Sequence, residues 1–306
     1  MDVRALRYFV HVAEARSFSK AAAQLRVAQP ALSRQVRKLE SELGVELIDR
    51  AGRQIGVTEA GLLLLSRAHS LIRQFAQTSD DVRAHGQNVA GALTIGVSPA
   101  TCEVLGPHVV EECRRRYPNL RLNFVEGFSR FIFEQLINQE LTLCLLHDPS
   151  RHAGIEIEPL IAEPMYLVGP GKRSASIERA HAKLSLRQIP LILPNRTHGL
   201  RMLVERALAG RPIRIAAEVD GYTMTKAMVA AGHGYTILPY SSIHQQVKDG
   251  QFSAVPLTHP RLTWTLCVAY RSEQRTARSV NAVRDIIREQ IAELVKSKTW
   301  RGEILF

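Results

Sequence analysis

Residues 28–44 read Ala28-Gln29-Pro30-Ala31-Leu32-Ser33-Arg34-Gln35-Val36-Arg37-Lys38-Leu39-Glu40-Ser41-Glu42-Leu43-Gly44. Proline is tolerated in the first turn of a helix, where its missing N–H and fixed φ do no harm, and glycine suits the residue just past a helix end. A helix therefore starts at about Pro30 and closes at Gly44. At 3.6 residues per turn Leu32, Val36, Leu39 and Leu43 share one stripe, and Pro30, Ser33, Arg34, Arg37 and Lys38 share the opposite one. Charge changes sign along the axis, from Arg34, Arg37 and Lys38 to Glu40, Glu42 and the following Glu46. A helix lying in a major groove with its N-terminal half needs this polarity, because phosphates attract the basic half and repel the acidic half. The dipole at the helix N-terminus favours phosphate as well.

Toward the N-terminus, Leu6, Phe9, Val10 and Ala13 recur at helical spacing, with Arg4, Arg7, His11 and Glu14 on the other side. Ser19 precedes the helix formers Lys20 to Leu25 as a cap candidate, with Phe18 placed as a hydrophobic staple. Toward the C-terminus, residues 47–58 hold two short apolar stretches around Ala51-Gly52-Arg53, a small hairpin or wing carrying Arg50 and Arg53. Thr58 and Glu59 then open a helix to about Gln87, a rod of roughly 45 Å at ~1.5 Å per residue. Its stripe of Leu65, Ala68, Ile72, Phe75 and Val82 exceeds what three small helices cover, so a helix from a second chain is the expected cover and homodimerisation is implied.

The chain has 306 residues, which sets a prior of about one to three domains. Hydrophobic residues at 45% and charged residues at 23% fit a folded globular chain and exclude a disordered one. No apolar run approaches the ~18 residues of a membrane span, and the N-terminus carries no continuous apolar segment, so the protein is read as cytoplasmic, unprocessed and free of membrane contact. The net charge of +11 invites a polyanion partner, but residues 1–90 hold only +4 of it and the remainder holds +7. Local patterning is therefore the stronger signal. Cys102, Cys113, Cys144 and Cys267 form no C-x-x-C pair, so neither a zinc site nor a disulfide framework is expected. Walker, G-x-G-x-x-G, H-E-x-x-H and G-x-S-x-G patterns are absent, and the chain is read as a non-enzyme with no cofactor or metal.

Beyond the break at Val89-Ala90-Gly91, strands at Leu93–Val97, Leu120–Val125 and Leu141–Leu146 alternate with helices at 101–117 and 130–138. A second series follows: strands at Met165–Val168, Leu191–Leu193, Ile213–Ala216 and Tyr235–Leu238, with helices at 198–208 and 223–231. Trp264–Tyr270 adds a strand and Ser279–Lys296 a final amphipathic helix. This grammar predicts parallel pairing in two α/β lobes, and ligands of such sheets bind in a cleft at the carboxyl ends of strands. Candidate ligand contacts are Ser98, Ala100 and Thr101 after the first strand, Ser129 after the second, and His198, Arg201 and Thr223 in the other lobe. A redox-responsive alternative would use the cysteines, although Cys144 and Cys267 sit in apolar strands where cysteine is usually a buried hydrophobe.

Ala21-Ala22, Leu25, Ala28 to Val36, Leu39-Glu40, Leu43-Gly44, Leu47, Arg50 and Thr58-Glu59-Ala60-Gly61 together resemble the winged helix-turn-helix of LysR-type transcriptional regulators over about residues 1–65. Ile48 replaces the usual Phe. The resemblance implies that Gln29, Ser33 and Arg34 enter the major groove, that Arg53 approaches the minor groove and that residues near Ser19 touch phosphate. Gln29 and Arg34 have the chemistry for adenine and guanine edges, whereas Arg37, Lys38 and Arg50 suit phosphate. Gly91 to Gly96 and Val229 to Pro239 are similar to the periplasmic-binding-protein-like effector domain of that family, with Thr142 and Cys144 departing from its pattern. Tyr166 to Gly169 and Leu193-Pro194 with His198 to Arg201 resemble its nitrogen-assimilation-control-like branch.

The resemblance implies a ligand-responsive regulator with a winged helix-turn-helix domain at 1–58, a linker helix at 59–88 and an effector domain at 89–306. Within the last, one lobe spans about 91–161 with 267–297 and the other about 162–266. It further implies double-stranded DNA carrying an interrupted inverted repeat, a homodimer pairing into a homotetramer, a small carboxylate or amino-acid effector, and contact with RNA polymerase.

Overall fold

The computed structural model describes residues 1–50, 55–83, 89–171, 189–208, 213–258 and 261–306, with backbone only at residues 77 and 80–83. The chain divides into two compact units, residues 1–86 and 87–306. Among the described residues no helix is long and apolar enough to cross a membrane.

The first unit packs α1 (Val3–Ala15), α2 (Phe18–Leu25), α3 (Gln29–Leu43) and α4 (Glu59–Arg83) around Phe9, Leu32, Val36, Leu39, Leu47 and Ile48. Strands β1 (Ile48–Asp49) and β2 (Gly56–Val57) pair antiparallel as the wing. Its tip, with Arg53, lies outside the described residues. Gly44 has φ 72° and ends α3 as expected. Ser17, and not Ser19, caps α2: it is extended and accepts from the Lys20 N–H at 3.3 Å, while Ser19 sits exposed inside the first turn. Thr58 caps α4 by accepting from the Gly61 N–H at 3.0 Å. Gly61 is required there, since a Cβ would meet the Leu47 carbonyl at 2.2 Å.

Two stripes differ from expectation. Leu43 is exposed at the end of α3. On α4, Ala68 is buried and Leu64, Leu65 and Ile72 pack on the unit's own core, while Leu62, Leu63, Leu71 and Phe75 are exposed, Leu71 and Phe75 side by side on one face. Val82 is described for backbone only.

The second unit is built on one eight-stranded sheet, ordered β10 (Phe252–Pro256), β6 (Ile155–Pro170), β11 (Thr263–Arg271), β5 (Leu143–His147), β3 (Gly91–Val97) and β4 (Leu120–Glu126). Strands β9 (Thr236–Pro239) and β12 (Glu303–Ile304) also pair with β6. The predicted parallel pairing holds for β3 with β4 and β5, but β6 runs antiparallel to all its partners. Its 16 residues begin at Ile155, ahead of the expected Met165, because Glu156, Glu158, Pro159 and Pro164 disguise its first half in sequence. β10 and β12 were not expected: the first is short and ends in proline, the second has two residues.

Helices α5 (Pro99–Arg116) and α6 (Ser129–Ile137) connect the parallel strands, and α10 (Arg278–Lys296) packs with α5 on one face of the sheet. A second core surrounds Met165, Leu167, Ile192, Val229 and Ile237. It holds the small parallel pair β7 (Leu191–Leu193) and β8 (Ile215–Glu218), with α7 (Gly199–Ala207), α8 (Tyr222–Ala230) and α9 (His244–Lys248). The two cores are the two α/β lobes, and β6 and β11 run from one to the other.

Candidate functional site

On α3, Leu32, Val36 and Leu39 are fully buried, which turns Gln29, Pro30, Arg34, Arg37 and Lys38 outward, with Ser33 half-buried between them. Arg34 and Arg37 have no ion-pair partner among the described residues, and Lys38 lies 3.9 Å from Glu42. Ser19 is exposed on the neighbouring helix. The exposed stripe read from the sequence is thus held in one rigid row.

Glu40 and Arg50 depart from their sequence reading. Glu40, expected in a solvated acidic half, is buried and accepts from the Leu47 N–H at 3.0 Å, the Ile48 N–H at 3.1 Å and Arg50 Nη2 at 2.7 Å. Burial would raise its carboxyl, but the Arg50 guanidinium and the two backbone donors hold it below the usual range. Arg50, expected on phosphate, spends one arm on this pair and lies over the Phe18 ring at 5.8 Å. The arrangement fastens the wing to the end of α3. A carboxylate seven residues before paired amides is indistinguishable in sequence from a surface one.

In the second unit a cleft opens at the carboxyl ends of β3, β4, β5, β7 and β8. Of the candidate ligand contacts, Ser98, Ala100, Thr101 and His198 line it. Ser98 caps α5, its Oγ accepting from the Thr101 N–H at 3.4 Å and donating to Thr101 Oγ1 at 2.9 Å. His198 caps α7 by accepting from the Leu200 N–H at Nδ1, 3.1 Å away, so its proton sits on Nε2. Its ring meets Phe128 edge to face at 4.9 Å. Burial lowers the His198 pKa and the nearby Asp220 only partly opposes it.

Ser129, Arg201 and Thr223 do not line the cleft. Phe128 takes the place expected of Ser129, Tyr222 and Thr225 that of the exposed Thr223. Arg201 is buried as a strut, 2.7 Å from Glu205, 3.2 Å from Glu218 and 3.3 Å from the Pro194 carbonyl, because its charge needs those acceptors once α7 packs on the sheet.

Several lining residues were not singled out in the sequence. His147 stacks on Trp264 at 4.0 Å and donates through Nε2 toward Glu163 at 3.1 Å. Glu163, 1% exposed, also accepts from Ser241 Oγ at 2.6 Å and from the Trp300 indole N–H. Thr236 and Leu238 complete this wall. These groups lie on strands far apart in sequence, and no local pattern marks them. Among the described residues no lysine or arginine lines it. At one edge Lys226 of α8 reaches Glu103 of α5 at 3.3 Å and covers the Tyr222 ring at 4.4 Å.

Burial pushes the thiols of Cys102, Cys113 and Cys267 each up to about 11, and that of Cys144 further, which lowers their thiolate fraction. Among the described residues no three His, Cys, Asp or Glu side chains converge as a metal site would need.

Residues 3–62 match the model of the bacterial regulatory helix-turn-helix protein, lysR family, and residues 86–292 that of the LysR substrate binding domain. The chain is 30% identical over 304 residues to the HTH-type transcriptional regulator BbuR of Bordetella bronchiseptica, covering 99% of this chain and 94% of that one. It is 28% identical over 307 residues to the nitrogen assimilation regulatory protein nac of Escherichia coli, covering 97% and 98%. A full-length OxyR variant from Pseudomonas aeruginosa superposes with a TM-score of 0.68 at 26% identity, covering 94% and 95%.

Proposed function

Because the chain belongs to the LysR family of transcriptional regulators, we propose how its own residues carry that work. It is a DNA-binding transcriptional regulator with an effector-binding domain, and not an enzyme. The observation that carries the reading is the outward row on α3, basic in its first half and fixed by three buried aliphatic side chains behind it. Gln29 and Arg34 read base edges in the major groove beside Ser33 and Pro30, while Arg37, Lys38 and Ser19 meet phosphates. Arg53 of the wing approaches the minor groove, and Arg50 contributes chiefly by bracing the wing through Glu40.

Leu71 and Phe75 on α4 bring two chains together, and dimers pair into a tetramer on an interrupted inverted repeat in the cytoplasm. A small molecule in the cleft between the lobes biases how the dimers pair, which alters DNA bending and access for RNA polymerase. A coupling of about 1–3 kcal/mol, roughly 5- to 150-fold, suffices for such a switch. Ser98, Ala100 and Thr101 at the start of α5 suit one carboxylate, supported by the helix dipole in place of a cationic side chain.

The test is selection of bound DNA from a random pool, with and without small carboxylates and amino acids. Two recovered half-sites related by two-fold symmetry are expected. A single asymmetric motif would overturn the dimer model, and an unchanged set of sites and affinities with every compound would overturn effector control.

A further inference from the structure

Glu103 and Lys226 stand on opposite lobes. Glu103 adjoins Val104 and Leu105 of α5, which belong to the core shared with β3 and α10. Lys226 lies one turn before Val229 of α8, which belongs to the core shared with β7 and β9. Neither residue is on β6 or β11, the strands that run from lobe to lobe. Both helices nevertheless start in the cleft, which Ser98 and Thr101 line from one side and Tyr222 and Thr225 from the other. Lys226 Nζ is 3.3 and 3.5 Å from the two carboxylate oxygens of Glu103 and 4.4 Å from the centre of the Tyr222 ring. The Phe128–His198 edge pair, at 4.9 Å, also joins one lobe to the other. The lobes therefore meet across the cleft as well as along their shared strands.

The two charges are unequally covered. The Lys226 side chain is 12% exposed and that of Glu103 52%. An ammonium withdrawn this far from water needs an anion or a ring face beside it, and Lys226 has both. Burial lowers its pKa, and Glu103 opposes the shift. The anion comes from the other lobe, so it is present only while the lobes touch. Separation removes the Coulomb attraction but hydrates both ends, and the two effects offset each other in large part. Arg201 shows the contrast: its acceptors Glu205, Glu218 and the Pro194 carbonyl all belong to its own lobe, and it fixes that lobe whatever the other does. A balanced pair that bridges the lobes holds and releases over a small difference in free energy.

We propose that the Lys226–Glu103 ion pair is a latch across the mouth of the cleft, holding the lobes together and releasing them for a molecule to enter or leave. The two side chains position the lobes and need not touch what binds. The latch stands on the geometry of the lobes alone; its meaning for regulation rests on the reading of this cleft as the effector site. A molecule that favours the open form and one that favours the closed form then shift the latch in opposite directions.

Trp264 and Trp300 are the chain's two tryptophans. Trp264 lines the cleft and is 9% exposed, whereas Trp300 is 1% exposed against Glu163. Acrylamide quenching of tryptophan fluorescence in the full chain, with no ligand added, therefore reports opening of the cleft, and a Trp264→Phe background identifies the ring that responds. Glu103→Gln is expected to raise the quenching constant about two- to fivefold, the shift in open-to-closed ratio that loss of one partly exposed ion pair gives. Glu103→Lys, which sets two ammonium groups against each other, should raise it further. The charge exchange of Glu103→Lys with Lys226→Glu should return it toward the native value. Sodium chloride at about 1 M should raise quenching of the native chain and leave Glu103→Gln unchanged, so the exposed Glu103 position decides the matter even where a Lys226 variant fails to fold. Equal quenching in the native chain and both Glu103 variants overturns the latch. So does a folded charge exchange as open as Glu103→Lys alone, a salt response that survives Glu103→Gln, or a rise that persists in Trp264→Phe. Failure in this measurement leaves effector control of DNA binding untouched, and failure of effector control in the DNA selection leaves the latch untouched.

Discussion

Arg34 and Lys38 stand four residues apart on the same exposed row, yet the proposed reading gives them different tasks, because guanidinium can bond a guanine edge bidentately and ammonium cannot. Arg34→Ala is expected to cost about 1–3 kcal/mol on the cognate site and relax discrimination at one base, whereas Lys38→Ala weakens all sequences alike. Binding titrations on cognate and random duplexes check this, and equal losses on both for Arg34→Ala would remove the base-reading role. Glu40 makes the opposite kind of contribution, to stability. Glu40→Ala leaves two buried amide donors unpaired and is expected to cost about 2–4 kcal/mol, read from the urea midpoint. Its carboxyl is held below the ordinary 4.5, so its contribution is complete above that value and is lost as pH falls through the lower folded one. In Glu40→Gln the acid-side loss of stability is expected to be shallower. From the sequence Glu40 was one acid among several, because burial of a carboxylate depends on amides brought back by the turn after Gly44.

At the scale of elements, periodicity found α3 and its polarity because both are local. It placed the α2 cap two residues late, since Ser17 and Ser19 are equally good caps and only the backbone conformation of Ser17 decides between them. On α4 it found an apolar helix but drew the outward stripe too wide: Leu65, Ala68 and Ile72 serve the home core, while Phe75, with Leu71 beside it, is exposed. Phe75→Asp is therefore expected to lower the mass seen by analytical ultracentrifugation while shifting unfolding by no more than about 0.5 kcal/mol, as exposed positions do. Retention of the dimer by that variant would move the interface elsewhere. In the second unit the parallel strands were legible from alternation, but β6 was half hidden behind prolines and glutamates that an antiparallel strand of mixed burial tolerates.

For the molecule as a whole, a net charge of +11 drew attention to nucleic acid, yet most of the excess belongs to residues 91–306. Four cleft residues were legible because they sit where strands turn into helices, a position that local sequence marks. His147, Glu163, Thr236 and Trp264 were not, since the cleft is assembled from strands joined only by the sheet. With every thiol displaced upward by burial, replacing all four cysteines by serine is expected to leave regulation of a reporter unresponsive to peroxide and otherwise intact, apart from small packing losses at Cys113 and Cys144. A loss of induction confined to oxidant would contradict that.

β6 and β11 each pass without interruption from one lobe to the other, hydrogen-bonded side by side, with a single slip of register between Leu266 and Cys267. The lobes are accordingly joined by a stiff two-ply ribbon and not by slack chain. Paired strands twist as a unit, so an effector in the cleft is expected to act on the lobes through rotation about this ribbon. Glu163 sits on that ribbon and accepts from the Trp300 indole N–H, which fastens the C-terminal segment to the strand that joins the lobes.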